Sequence, residues 1–103
     1  MIIVDKNNFE AEVEKSDKLC VVDLFANWCM PCKMLAPVLD ELEGEISNVK
    51  FCKINVDDSP ELAAIFHVTS IPMIAIVKNG VFVDVSVGFV GKEVLKKLIE
   101  DNM

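Results

Sequence analysis

Leu19-Cys20-Val21-Val22-Asp23-Leu24-Phe25-Ala26 runs into Asn27-Trp28-Cys29-Met30-Pro31-Cys32-Lys33, and the join between these two stretches decides how the chain is read. The first stretch is apolar except at Asp23, the pattern of a central strand buried on both faces. After Cys32 the period changes. Leu35, Val38, Leu39, Leu42 and Ile46 recur at helical spacing, which predicts a helix from about Cys32 to Ile46 with one apolar stripe. Pro37 lies inside it and is expected to kink it. Two cysteines therefore sit where a strand hands over to a helix. The first helical turn carries unpaired N–H groups and favours negative charge. A thiolate is stabilised there, and the thiolate is the form that attacks a disulfide. Two thiols three residues apart can also close on one another, so the pair can take electrons from one protein and give them to another.

Working outward, Ile2 to Val4 reads as a short strand. Asn7 is expected to cap a helix through Lys15, with Glu10 completing a capping box and Phe9 and Val13 facing inward. Val49 to Val56 is a further strand, and Ser59-Pro60 opens a short helix through Phe66. Met73–Lys78 and Val81–Val87 are strands joined at Asn79-Gly80, a favoured two-residue hairpin turn. A last helix runs from about Lys92 to Asn102, with Val94, Leu95, Leu98 and Ile99 buried. Strands alternating with helices imply parallel pairing through right-handed crossovers, and the hairpin adds antiparallel strands. The expected fold is α/β: a central mixed five-stranded sheet between two helical layers, four helices in all, as a single domain over residues 1–103.

With 103 residues and 52% hydrophobic content, the chain can form a core without crosslinks. Its net charge of −7 opposes phosphate-backbone binding, so nucleic acid is not an expected partner. No run approaches the ~20 apolar residues of a membrane span, and Met1 to Asp5 does not resemble a secretory leader. The expected setting is the reducing cytoplasm, with the four cysteines as thiols by default. Cys20 and Cys52 fall on strands and read as small buried hydrophobes. Lone His67 reads as a surface or capping residue, and Glu41, Glu43 and Glu45 as a solvated helix face. No metal site and no cofactor are expected. A GxGxxG fingerprint is missing, so electrons from a nicotinamide would need a partner protein.

The spacing of Cys29 and Cys32 alone leaves structural thiols or zinc ligands open. The surrounding residues narrow the choice. Asp23, the Trp-Cys-x-Pro-Cys-Lys motif at 28–33, Pro37, Asp57, Ile71-Pro72, Asn79-Gly80 and Gly88 occur in the order and spacing of the thioredoxins, and the chain resembles that family over essentially its whole length. It departs from the family pattern at Met30, where glycine is usual, at Met73, where threonine is common, and at Phe25, where a tryptophan is common. Glutaredoxins usually carry proline directly after the first cysteine, the position of Met30, which argues against that family.

The resemblance implies a general protein-disulfide reductase re-reduced by a separate thioredoxin reductase, acting as a monomer on disulfide-containing client proteins. A dedicated reductant or isomerase for few clients and a non-redox binding subunit are the alternatives. Cys29 is the candidate nucleophile, with its sulfur facing solvent, and the more buried Cys32 resolves the mixed disulfide. Asp23, buried in an apolar strand, should have a raised pKa and accept the Cys32 proton. Lys53 joins the candidate catalytic set as the cation able to pair with it. Pro31 fits the first helical turn and stiffens the motif. By resemblance, Pro72 is cis and leaves the Ile71 backbone free for an extended client segment. Trp28, Met30, Val56, Ile71, Val87 and Gly88 are the expected docking surface, with Gly88 permitting close backbone approach.

Overall fold

In the computed structural model, which describes residues 1–103, five strands form one sheet. They are β1 (Ile2–Ile3), β2 (Leu19–Phe25), β3 (Val49–Asn55), β4 (Met73–Lys78) and β5 (Val81–Val87), and their spatial order is β1-β3-β2-β4-β5. β1 and β2 both pair parallel to β3, while β4 runs antiparallel to β2 and β5 antiparallel to β4. The helices are α1 (Met30–Glu45), α2 (Pro60–Ile65), α3 (Lys92–Asp101) and a π-helical segment, Glu10–Glu14. This is the expected α/β architecture. No helix is long and apolar enough to cross a membrane.

The two-residue period of a strand divides the core. Cys20, Val22 and Leu24 of β2 point to one face, where Phe9, Val13, Leu62 and Phe66 cover them. Leu19 and Val21 point to the other, against Leu35, Leu39 and Leu42 of α1 and Leu95 and Ile99 of α3. Asp23 shares the parity of Val21, so this acid is directed toward the α1 side.

The first helical segment differs from expectation. Asn7 caps nothing. Asp5 Oδ1 accepts from the Asn7 N–H and Asn8 Oδ1 accepts from the Asp5 N–H, each at 2.8 Å. This reciprocal pair starts the turn two residues early, and the chain then widens so that the Lys15 N–H donates to Glu10 O. Two further corrections concern the surface. Val94 is exposed, because α3 presents a narrower stripe to the sheet, Leu95 and Ile99 with half-buried Leu98 beside them. Glu41 and Glu45 are not simply solvated; both pair with Lys92 and tie α1 to α3. α1 stays one element across Pro37. Asn79 and Gly80 both have positive φ, 52° and 78°, as the tight hairpin requires.

Candidate functional site

β2 ends at Phe25, and the Cys29 N–H donates back to Ala26 O at 3.2 Å, turning the chain sharply into α1. Cys29 is the N-cap of α1, with extended φ/ψ of −88° and 110°, and its Sγ accepts from the Cys32 N–H at 3.3 Å. A cysteine sulfur thus takes the place usually filled by a serine or aspartate oxygen. Pro31 occupies the first turn, where a missing N–H leaves no bond unmade. Cys29 and Cys32 are joined as a disulfide across a Cα–Cα distance of 5.3 Å.

The two cysteines open onto different spaces. Cys29 lines a surface groove of about 420 Å³ with Trp28, Met30, Pro31 and Ile71. Cys32 lines a cavity of about 180 Å³ on the α1 side of the sheet, with Asp23, Lys53 and Asp40. Asp23 is 5% exposed, and its Oδ1 is buried without a hydrogen-bond partner. Burial pushes its carboxyl up to about 7, against a smaller opposing pull from the Lys53 charge. A carboxyl at this value can bind or release a proton near neutrality.

Above the disulfide, the Ile71–Pro72 peptide is cis. Neither backbone group of Ile71 finds a hydrogen-bond partner, whereas Pro72 O accepts from the Gly88 N–H at 2.8 Å. Gly88 has φ of 87°, and a Cβ built there would meet nothing within 4 Å. On the other flank, Trp28 is 70% exposed and its Nε1–H donates to Asp57 Oδ2 at 2.8 Å. The site therefore joins a disulfide, an unpaired peptide backbone and an open apolar rim.

The thioredoxin family profile matches residues 1–101. The chain is 40% identical to the thioredoxin of Bacillus subtilis, with complete coverage of both chains. It is also 40% identical to thioredoxin 2 of Chlorobaculum tepidum, over 93% of this chain and 89% of that relative. The identity with the thioredoxin of Chlamydia caviae is 42%, over 97% and 96% respectively. The chain belongs to the thioredoxin family. A paired Cys29 and Cys32 in that family is a thiol–disulfide oxidoreductase centre.

Most of the residues singled out from the sequence of this family member converge on the site. Trp28, Met30, Pro31 and Ile71 surround the Cys29 groove, and Asp23 and Lys53 share the inner cavity with Cys32. Val56 is half-buried and packs, with Phe25 and Ile71, against the two cysteines. Val87 is exposed, and Gly88 is tied to Pro72. One expectation fails. Cys29 is no more open than Cys32, at 4% exposure each, because the closed disulfide holds its sulfur back against Phe25, Val56 and Ile71. Asp40 went unnoticed in the cavity wall, although Cys32, Ala36 and Asp40 stand at i, i+4 and i+8 and so share a helix face. Thr69 and Ser70 in the groove carry no sequence signal. Cys20 and Cys52 are fully buried on the opposite face of the sheet, as expected.

Proposed function

We propose that this chain is a general protein-disulfide reductase. The Cys29 thiolate attacks one sulfur of a client disulfide, forming a mixed disulfide and releasing the client's other sulfur as a thiolate. Asp23 then takes the proton from Cys32. The Cys32 thiolate attacks Cys29 Sγ, closes the Cys29–Cys32 bond and expels the second client thiolate. Two electrons pass from the dithiol to the client. A separate thioredoxin reductase returns them. Lys53 acts by holding positive charge near Asp23.

The observation that carries this reading is the placement of the two cysteines, one on a surface groove beside the unpaired Ile71 backbone and one on the cavity of an unpartnered Asp23. Client and proton acceptor thus meet different sulfurs. Trp28, Met30, Pro31, Val56, Ile71, Pro72, Val87 and Gly88 form the client surface in this reading. In this reading the chain works as a single-domain monomer, and its setting is the cytoplasm, where a reducing compartment keeps the dithiol available.

The test is reduction of insulin disulfides with a candidate reductase, for the native chain, Cys29→Ser and Cys32→Ser. Turnover should vanish in both variants, and only Cys32→Ser should trap a client adduct. An adduct in Cys29→Ser, or turnover surviving it, overturns the assignment.

A further inference from the structure

We propose that the client surface continues past the Cys29 groove into an apolar trough between the end of α2 and β5, which takes an extended apolar segment of the client polypeptide. The proposal rests on the disulfide-exchange reading above. The trough measures about 460 Å³, and Ile65, Phe66, Met73, Phe82, Val85 and Val87 line it. Thr69 and Ser70 belong to its wall and to that of the Cys29 groove, so the two spaces adjoin.

The trough exists because of an irregularity in the sheet. Val87 stands opposite Met73 and Val85 opposite Ala75, which puts both on the face that carries α2. By strict alternation Phe82 would point to the other face. A register shift between Ile76 and Val77 places Phe82 opposite Val77 instead, and so turns it onto the same face. Phe82 there meets Phe66, with ring centroids 5.8 Å apart. α2 ends at Ile65 and leaves this margin of the sheet uncovered. Ile65, Phe82, Val85 and Val87 are 41–56% exposed. Single exposed apolar residues are ordinary, but four along one trough are a recognition surface.

The occupant follows from three observations. The trough is open and runs along β5, and the six residues from Phe82 to Val87, five strand rises, span roughly 17 Å, the length of about six extended residues. It adjoins, at Thr69 and Ser70, the groove beside the unpaired Ile71 backbone. It is lined by nine residues, short of the roughly 20–30 a side of a stable dimer interface. A client segment adjoining the attacked cysteine fits; a second copy of the chain does not.

The test uses two peptide disulfides that differ only in five residues beside the reactive cysteine, valine and leucine in one and serine and glycine in the other. The reduced native chain should prefer the apolar peptide about tenfold in kcat/KM, the scale of a single apolar contact in a pocket. Ile65→Lys and Val85→Lys should each abolish most of that preference, while the rate with a small aromatic disulfide serves as the common reference. Ile65→Thr and Val85→Thr, with thermal melts, keep the test valid if a lysine variant unfolds. Equal rates for the two peptides, or variants that scale peptide and small-disulfide rates together, overturn the proposal. So does a concentration-dependent dimer at assay concentration that the same variants dissolve. Failure of the native chain on the small disulfide would instead sink the disulfide-exchange reading itself.

Discussion

Asp23 and Lys53 stand in register across β2 and β3, yet Asp23 Oδ1 has no hydrogen-bond partner and Lys53 Nζ lies over the Phe25 ring, 5.9 Å from its centroid. The pair shares a cavity without neutralising it. Burial therefore outweighs the lysine and raises the Asp23 carboxyl from 3.8 to about 7. The raised value means that the folded state holds this proton more tightly than the unfolded state. Stability from this group is complete below pH ~4 and is lost as pH rises through ~7.

Replacing Asp23 with asparagine should remove that pH dependence. The gap between the two values corresponds to about 4 kcal/mol. Asp23→Asn should thus be more stable than the native chain at pH 8, by up to that amount, and nearly equal to it at pH 4. Urea unfolding at both pH values measures this. The same variant should slow release of the mixed disulfide at neutral pH. A stability gain that is equal at both pH values would show that Asp23 does not ionise across this range.

Gly80 and Gly88 both have positive φ, but they should respond differently to alanine. A Cβ at Gly80 would lie 2.7 Å from Glu14 O, a backbone atom that cannot swing away. A Cβ at Gly88 meets only open space, so Gly88→Ala carries the conformational penalty alone, about 1–2 kcal/mol. Gly80→Ala should cost more, and should loosen the Glu10–Glu14 segment. Conversely, Gly88→Ala should slow client reduction more than its stability loss explains, because the methyl enters the space a client backbone would use. Melting temperatures and kcat/KM for the two variants separate these effects.

The join of β2 and α1 was legible because three signals agree there: a doubly buried apolar run, a change to helical period, and a proline in the first turn. The Asn79-Gly80 hairpin was legible for a similar reason, since few residues tolerate its dihedrals. The first helical segment was not. Asp5, Asn7 and Asn8 can all bond to nearby backbone, and which of them caps depends on small local differences that no periodicity reports. The equal burial of Cys29 and Cys32 was hidden because it depends on the closed disulfide. The trough was hidden because a strand's alternation gives no notice of a bulge, and the shift at Ile76 and Val77 is what turns Phe82 around.

The Trp28–Asp57 hydrogen bond should matter more for order than for stability. It is exposed, so its loss in Asp57→Ala should cost at most about 1 kcal/mol. Trp28 is the only tryptophan in the chain, so its emission reports on this flank alone. Asp57→Ala should lower Trp28 fluorescence anisotropy with little change in melting temperature. An unchanged anisotropy would mean that packing, not this bond, holds the ring.

Cys20 and Cys52 pose opposite expectations about reactivity. The neighbouring Cys52 thiol is the main cause that lowers the Cys20 thiol, and Cys20 in turn, together with burial, pushes Cys52 up. Thiolate character alone would make Cys20 react quickly at neutral pH. Both residues are fully buried, however, and the Cys20 sulfur is closed off by Glu12 O at 3.7 Å and Lys18 O at 3.5 Å. Burial should win. The reduced native chain should therefore titrate two fast thiols with an aromatic disulfide reagent, and four after denaturation. The slow pair should follow the opening equilibrium, speeding up with sub-denaturing urea. A third fast thiol in the native chain, lost in Cys20→Ala, would show that the Glu10–Glu14 segment opens freely over this face of the sheet.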